Sequence, residues 1–321
     1  MTGFAARTFG CLLPAVLTLL VAAAGWSGEA AVKPNKKILY FTKSCGFEHS
    51  PVKRTDDQPA YSEKILVELG KKASYEIVCS KDGTLLNPDK IGQWDGFVFY
   101  ATGDLTKPSK SDPAPPMTPE GKKALLDAIA GGKGFVGIHA ADDAFHTGTD
   151  KVDPFIQMLG GELIRHGPQQ KAWMRVADSK FPGMESVQDF ELLDEWYSPK
   201  NLAVDMHVIL IQDTKGMTGW PYARPNYPAT WARMEGKGRV FYTSMGHRED
   251  VWDNPLFQKI LMGGIAWSVS DAQAEVSANI KEVTPGAFTM PVPDEKATEK
   301  PAKKAARQAK KRVEKPAKPA K

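Results

Sequence analysis

The chain has 321 residues, 42% of them hydrophobic, and its 42 Lys and Arg against 38 Asp and Glu give a formal net charge of +4. That length allows one large α/β domain or two small ones, and the hydrophobic fraction excludes a chain that is disordered throughout. The three cysteines are too few for a disulfide-rich scaffold, and none are spaced closely enough for a structural zinc site built from cysteine pairs.

The first 24 residues have the pattern of a secretory signal peptide. Arg7 is the only charged side chain before residue 25, and an apolar run from Cys11 to Ala24 follows it. A membrane anchor is the alternative, but Pro14 and the shortness of the run argue against a stable span, which needs about 20 residues. The pattern therefore predicts a secreted or periplasmic protein with no transmembrane helix in the mature chain.

Residues 35–271 alternate predicted strands and helices and form the expected globular domain. The strands predicted in the first half lie at 37–42, 75–80, 95–100 and 134–139. Helices are predicted at 61–72, from the Thr118 cap to Gly131, and after Asp153. The second half is richer in strands, which are predicted at 169–177, 207–212, 229–235 and 239–244, and a last helix follows Asn254 and ends near Ser268.

This order of elements predicts an α/β fold. We expect a doubly wound, mostly parallel sheet with helices on both faces, and antiparallel strands late in the chain. In such folds the functional site lies beyond the carboxyl ends of the parallel strands. That rule selects the polar residues that are worth considering.

The C-terminal segment 272–321 differs in composition from the domain. Residues 296–321 carry eleven Lys or Arg and two Glu, a formal charge of +9, which leaves residues 25–295 at −6. Such a Lys-, Ala- and Pro-rich segment cannot bury enough apolar surface to fold, so it predicts a disordered basic tail. The tail could adhere to an anionic polymer, whereas its lack of aromatic residues argues against sequence-specific nucleic-acid recognition.

Three histidines follow predicted strands. His49 lies in the loop after the first strand, His139 ends the fourth, and His247 follows the last. A single histidine is more often structural than functional, and we treat His166 and His207 in that way. Because the carboxyl ends of parallel strands share one edge of a sheet, the other three are expected to converge there.

The sequence around these histidines resembles a known family. The motifs are CGFEH, GGKGFVGIHAADDAF, LLDEWY and ATWARMEGKGRVFYTSMGH. In this order and spacing they resemble the ThuA-like domain over about residues 36–270. The resemblance implies a role in the utilisation of trehalose and related sugars, and the class I glutamine amidotransferase-like fold. One departure is Phe181-Pro182, where the family often has His-Pro.

The same resemblance argues against glutaminase activity. Amidotransferases of this class place a nucleophilic cysteine on a tight strand-to-helix turn, and His139 stands at that position here. His247-Arg248-Glu249 has the spacing of their His-x-Glu pair. Imidazole cannot form the thioester that amide hydrolysis by this route requires, and Cys45 and Cys79 follow other strands.

The candidate catalytic residues are therefore His139, His247 and His49, with a carboxylate from Glu195, Asp142 or the adjacent Asp143. Neutral imidazole suits either of two chemistries. One is acid–base catalysis on a sugar hydroxyl or a keto-sugar. The other uses a divalent metal such as Zn²⁺, held by His49, His139 and His247 with a carboxylate.

The sequence leaves open whether the protein is an enzyme. The alternative is a non-catalytic sugar-binding or scaffold module on the same fold. An enzyme should gather the three histidines and a carboxylate around a concave pocket, whereas a binding module could leave them scattered. A disulfide between Cys45 and Cys79 is also left open, because the two lie after neighbouring strands in a compartment where bridges form.

Overall fold

A computed structural model describes residues 1–3, 35–56, 58–148 and 151–293. The predicted signal peptide lies almost wholly outside the described residues, and so does the basic segment from residue 294. Within the part that the structure describes, no helix is long and apolar enough to cross a membrane.

Eleven strands are present in the described residues. They are β1 (Lys36–Phe41), β2 (Tyr75–Ser80), β3 (Gly96–Phe99), β4 (Gly134–Ile138), β5 (Glu162–His166), β6 (Gln170–Val176), β7 (Phe190–Asp194), β8 (Tyr197–Lys200), β9 (His207–Asp213), β10 (Tyr227–Glu235) and β11 (Gly238–Thr243). The α-helices are α1 (Tyr61–Lys72), α2 (Pro119–Ala130), α3 (Pro154–Leu159), α4 (Glu249–Asp253), α5 (Pro255–Ser268) and α6 (Ile280–Val283).

Nine of these strands form one sheet in the order β2-β1-β3-β4-β11-β10-β9-β6-β7. The first five are parallel to one another, and each later strand is antiparallel to its neighbour. β5 and β8 pair separately as an antiparallel ribbon. The predicted α/β class, with a mostly parallel sheet and late antiparallel strands, is confirmed.

Helices cover both faces of the sheet. Successive side chains of a strand point to opposite faces of the sheet. Two neighbouring residues of β11 therefore show which helix packs on each face. Phe241 faces α5, where a Cβ added to Gly264 would lie 2.6 Å from its ring. Tyr242 faces the other way and stacks on Trp231 at 4.2 Å between ring centroids. The Trp231 indole in turn donates a hydrogen bond to the carbonyl of Leu159 in α3 (2.9 Å).

Three helices begin as the sequence predicts, with a capping side chain followed by proline. The side chains of Thr118, Asp153 and Asn254 accept hydrogen bonds of 2.8–2.9 Å from backbone N–H groups two or three residues later. Each cap satisfies a donor that the helix leaves unpaired, and is worth about 1 kcal/mol. Proline at the next position costs nothing because its missing N–H has no partner there.

The strands that the sequence did not reveal are β5, β7 and β8. β8 contains Pro199, which has no N–H to donate to a neighbouring strand. Such a residue is typical of turns, so the sequence did not indicate a strand here. β5 and β7 are five-residue segments that mix charged and apolar side chains without alternation. β5 and β8 pair with each other across two intervening strands, and β7 pairs with β6, the strand before it, at the edge of the sheet.

The segment after α5 packs against the domain before the basic tail begins. Ile280 and Ala287 are buried, and the Arg224 guanidinium donates to the carbonyl of Ala287. The Asn279 side chain also accepts a hydrogen bond from the Val208 N–H (2.6 Å). The packed part of the chain thus extends past the boundary predicted at residue 271.

Cys45 and Cys79 are both free thiols. The Cys45 sulfur lies 3.3 Å from the carbonyl of Lys107, and the Cys79 sulfur lies 4.0 Å from that of Glu63. Burial raises the pKa of the Cys79 thiol to about 12. The bridge that the sequence left open is absent from the structure.

Candidate functional site

His49, His139 and His247 meet at the carboxyl edge of the parallel strands, as the strand-end argument predicted. The centroid of the His49 ring lies 5.0 Å from that of His139 and 5.1 Å from that of His247, and the last two rings are 5.1 Å apart. Tyr100, which follows β3, packs against both His49 (5.4 Å) and His139 (5.8 Å). The convergence arises because β1, β3, β4 and β11 are consecutive in the sheet.

His139 is held in a strained backbone conformation at the turn after β4. Its φ of +43° lies in the left-handed region, where a non-glycine residue costs roughly 1–3 kcal/mol. Its ring Nδ1 donates to the carbonyl of Ser244 (2.8 Å), and its own carbonyl accepts a hydrogen bond from the Tyr242 hydroxyl (2.8 Å). The bond to Ser244 places the ring proton on Nδ1, so the lone pair is on Nε2, which lies 3.1 Å from His247 Nδ1.

Glu195 supplies the carboxylate of the cluster. One oxygen lies 3.1 Å from His247 Nδ1 and 3.9 Å from His139 Nε2, and the other lies 3.2 Å from His166 Nδ1. The neighbouring Asp194 fixes the connection between β7 and β8 that carries Glu195, because its side chain accepts a hydrogen bond from the Gly246 N–H (2.7 Å). Burial raises the pKa of Asp194 to about 7.

The buried imidazoles of the cluster are uncharged at neutral pH. Burial, reinforced by the neighbouring His247 and His166, lowers the pKa of His49 to about 3. Burial also holds the pKa of His139 well below its usual range. The His49 Nε2 atom lies 3.2 Å from the Tyr197 hydroxyl, whose pKa burial raises well above its ordinary value. Tyr197 therefore stays protonated and can donate to His49.

A cavity of about 520 Å³ opens above the cluster. His49, Glu195 and His247 are in its wall, while His139 is fully buried behind them. At the rim, the Phe47 ring is 67% exposed. The other lining residues are Asp143, His146, Leu163, Ile164, Arg165, His166, Gln169 and Tyr197. The volume and the mixture of polar and aromatic side chains suit a small polar ligand.

Asp142 is the one predicted site residue that the structure does not bring to this cluster. The chain forms a 3-10 helix over His139–Asp143, which turns Asp142 into the interior and leaves the adjacent Asp143 in the cavity wall. The Asp142 carboxyl makes no hydrogen bond with the residues that the structure describes, and burial raises its pKa well above the usual range. Asp142 is therefore not among the side chains that meet at the histidine cluster.

One other expectation is corrected by the structure. His166, which was treated as structural, lies in the cavity wall and pairs with Glu195. The sequence analysis missed its role because β5, the strand that ends at His166, was not predicted. The carboxylate beside His247 is Glu195, one of the three that the sequence analysis considered, and Glu249 of the His-x-Glu spacing is the first residue of α4. Phe181, at the position where the family often has histidine, is buried and stacks on Phe241.

His146 makes the stability of the cavity wall pH-dependent. Its hydrogen bond to Asp143, assisted by Glu162, overcomes burial and raises the pKa of His146 from 6.5 to about 9. A raised histidine pKa stabilises the folded state fully below about pH 6.5, and this contribution is lost as the pH rises through about 9. We expect the difference in unfolding free energy between the wild type and His146→Gln to shrink between pH 6 and pH 10 in urea titrations, roughly the window around these two pKa values. A difference that stays constant over this range would contradict the assignment.

Comparison with known proteins identifies the family. The profile described as ThuA, trehalose utilisation, matches residues 37–268. A ThuA-like protein from Bacteroides uniformis ATCC 8492 superposes with a TM-score of 0.57 at 19% identity, covering 78% of this chain and 97% of that one. A second, from Parabacteroides merdae ATCC 43184, gives 0.55 at 14% identity, covering 81% and 98%.

A search of curated proteins gives no significant match. The two solved structures share the fold, and the family match spans most of the chain. The chain therefore belongs to the ThuA family and has a role related to carbohydrate utilisation.

Proposed function

We propose that the protein is an exported enzyme that binds a sugar or keto-sugar in the cavity and transfers protons with His247, which Glu195 supports. The observation that supports this most is the convergence of three histidines and one carboxylate beneath a cavity of about 520 Å³. A binding module would have no need for buried, uncharged imidazoles held against a carboxylate. Export rests on the apolar run before residue 25, which lies outside the described residues.

His247 is the proposed general base. Its Nδ1 lies 3.1 Å from a carboxylate oxygen of Glu195. An ionised carboxylate accepts hydrogen bonds and donates none. This contact favours the tautomer with the proton on Nδ1 and the lone pair on Nε2. Such a base removes a proton from a sugar hydroxyl, or from the carbon beside a keto group, and the nearby Glu195 stabilises the imidazolium that forms.

The cavity wall contains groups suited to holding a sugar. The exposed Phe47 ring at the rim offers an apolar face to the C–H side of a pyranose. Arg165, Gln169 and His166 offer hydrogen-bonding groups for hydroxyls. His139 lies behind the wall and acts by holding His247, so it is a positioning residue.

The test is a screen of the full chain against trehalose, other disaccharides and their 3-keto derivatives. We expect one of them to bind by calorimetry and to be converted, with the products followed by NMR. Glu195→Gln should lower kcat by about 100-fold, because the amide cannot stabilise an imidazolium. Glu191→Gln is the matched control, since Glu191 is exposed on β7 and, among the residues that the structure describes, forms an ion pair with Lys171 alone.

The outcomes separate the two classes of function. Conversion that Glu195→Gln impairs and Glu191→Gln does not supports the enzyme. Binding without conversion of any sugar would show a binding module, and the absence of both would overturn the proposal.

A further inference from the structure

We propose that His49, His139, His247 and Glu195 bind one divalent transition-metal ion, with Zn²⁺ as the ion to test. This inference goes beyond the proposed function, because it requires no sugar and concerns the resting protein. An ion at the cluster would take the place of the proton on His247 Nδ1, so the metal-bound form and the form in which His247 Nε2 acts as the base are alternatives. The inference also assigns a role to His139, which is buried out of reach of a ligand in the cavity.

The spacing of the four side chains suits a single ion. Each offers one nitrogen or oxygen atom, and these atoms all lie within 4.8 Å of one another. His247 Nδ1 is 3.1 Å from both His139 Nε2 and the nearer Glu195 oxygen, and those two atoms are 3.9 Å apart. Bonds of about 2.0–2.1 Å in a tetrahedral zinc site separate neighbouring ligand atoms by roughly 3.3–3.4 Å. The three distances among His139, His247 and Glu195 bracket that value, and the His49 atom lies within 4.8 Å of each of them.

The donor atoms are those that a transition metal prefers. Imidazole with one carboxylate suits Zn²⁺, Fe²⁺, Ni²⁺ or Cu²⁺, whereas Mg²⁺ and Ca²⁺ favour oxygen donors. The hydrogen bond from His139 Nδ1 to the Ser244 carbonyl leaves the Nε2 lone pair facing the cluster. Outer hydrogen bonds of this kind are characteristic of metal-binding histidines.

The charge balance points to the same conclusion. The ion pairs recorded for Glu195 are all with histidines, of which His139 is completely buried. No lysine or arginine among the described residues pairs with this carboxylate. A divalent cation at the cluster would compensate the charge of Glu195 and would engage the lone pairs of Glu195 and His139 Nε2, which are 3.9 Å apart.

The competing explanation is a hydrogen-bonded cluster without metal, in which His247 Nδ1–H is shared between Glu195 and His139. The two explanations differ in what the protein does when Zn²⁺ is offered. The full chain is stripped with a chelator, dialysed, and titrated with Zn²⁺ by calorimetry, and the bound metal is counted by elemental analysis. We expect one Zn²⁺ per chain and a rise in the melting temperature when it binds.

Variants locate the ion. Glu195→Gln and His247→Asn should each weaken Zn²⁺ binding by at least about 10-fold, since even outer-shell changes at zinc sites cost about that much. Glu191→Gln, and His146→Gln in the same cavity but outside the cluster, should bind Zn²⁺ as the wild type does. Circular dichroism establishes that each variant is folded.

A second measurement on the unmutated chain guards against variants that fail to fold. Co²⁺ in place of Zn²⁺ should give the intense visible absorption of a four-coordinate site. A wild type that binds neither ion, or that loses no affinity on Glu195→Gln relative to Glu191→Gln, would overturn the inference. Sugar conversion by fully chelated protein would leave the proposed function standing without the metal, so the two can fail separately.

Discussion

Replacing His139 with asparagine is expected to lower kcat for sugar conversion by about 100-fold or more while leaving KM nearly unchanged. Asparagine tolerates the left-handed backbone that His139 adopts at φ +43°, so the turn after β4 should keep its shape. The variant lacks the imidazole nitrogen that faces His247 Nδ1 at 3.1 Å, and the base loses its support. KM should hold because His139 is fully buried behind the cavity wall.

Phe47→Ala is the variant to compare with His139→Asn, because it is expected to affect sugar binding and not the base. Phe47 is exposed at the rim and makes no hydrogen bond through its ring, so its loss should raise KM and change kcat little. Steady-state kinetics on both variants, with circular dichroism to establish folding, separates positioning of the base from sugar binding. If His139→Asn raised KM and left kcat intact, the role assigned to His139 would be wrong.

Glu162→Ala is expected to destabilise the domain by about 3 kcal/mol or more. The Glu162 side chain, in β5, is completely buried. Its carboxylate accepts hydrogen bonds from the Thr147 N–H (3.1 Å), the Thr147 hydroxyl (2.7 Å) and the Asn201 side-chain amide (2.7 Å). It also pairs with His146 (3.0 Å) and Lys200 (3.2 Å). Alanine would leave all of these groups without their partner.

The ionised form of Glu162 is the one that the fold requires. Burial alone would raise the pKa of this carboxyl, but the hydrogen bonds from His146, Thr147 and Asn201 outweigh burial and lower it to about 2. Urea denaturation at pH 7 measures the loss, and Glu162→Gln, which keeps the shape and one acceptor, should lose less. A loss below about 1 kcal/mol for Glu162→Ala would show that water replaces the carboxylate.

Local chemistry in the sequence was enough to predict most of the parallel half of the sheet. The predicted helix 61–72 and strand 75–80 agree with α1 and β2. Capping residues followed by proline marked three helix starts, because a cap and its proline act within one turn of the backbone. The antiparallel half was harder, since β5 and β8 pair across two intervening strands and β7 is a short edge strand without alternating side chains.

The sequence by itself determined that His49, His139 and His247 would share one edge of the sheet. It could do so because each follows a parallel strand, and parallel strands end on the same side. Together with the resemblance to the amidotransferase-like fold, it also predicted that His139 stands where those enzymes place a nucleophilic cysteine.

The tertiary structure alone decided which carboxylate joins these histidines. Glu195 reaches the cluster on the connection between β7 and β8, which Asp194 anchors to the Gly246 N–H. Asp142, three residues from His139, is turned into the interior by the 3-10 helix. Sequence distance cannot settle such a choice, because the direction of a side chain depends on backbone angles and on packing against segments far away in the chain. For the same reason, only the folded chain shows His166 beside Glu195 and the left-handed backbone at His139.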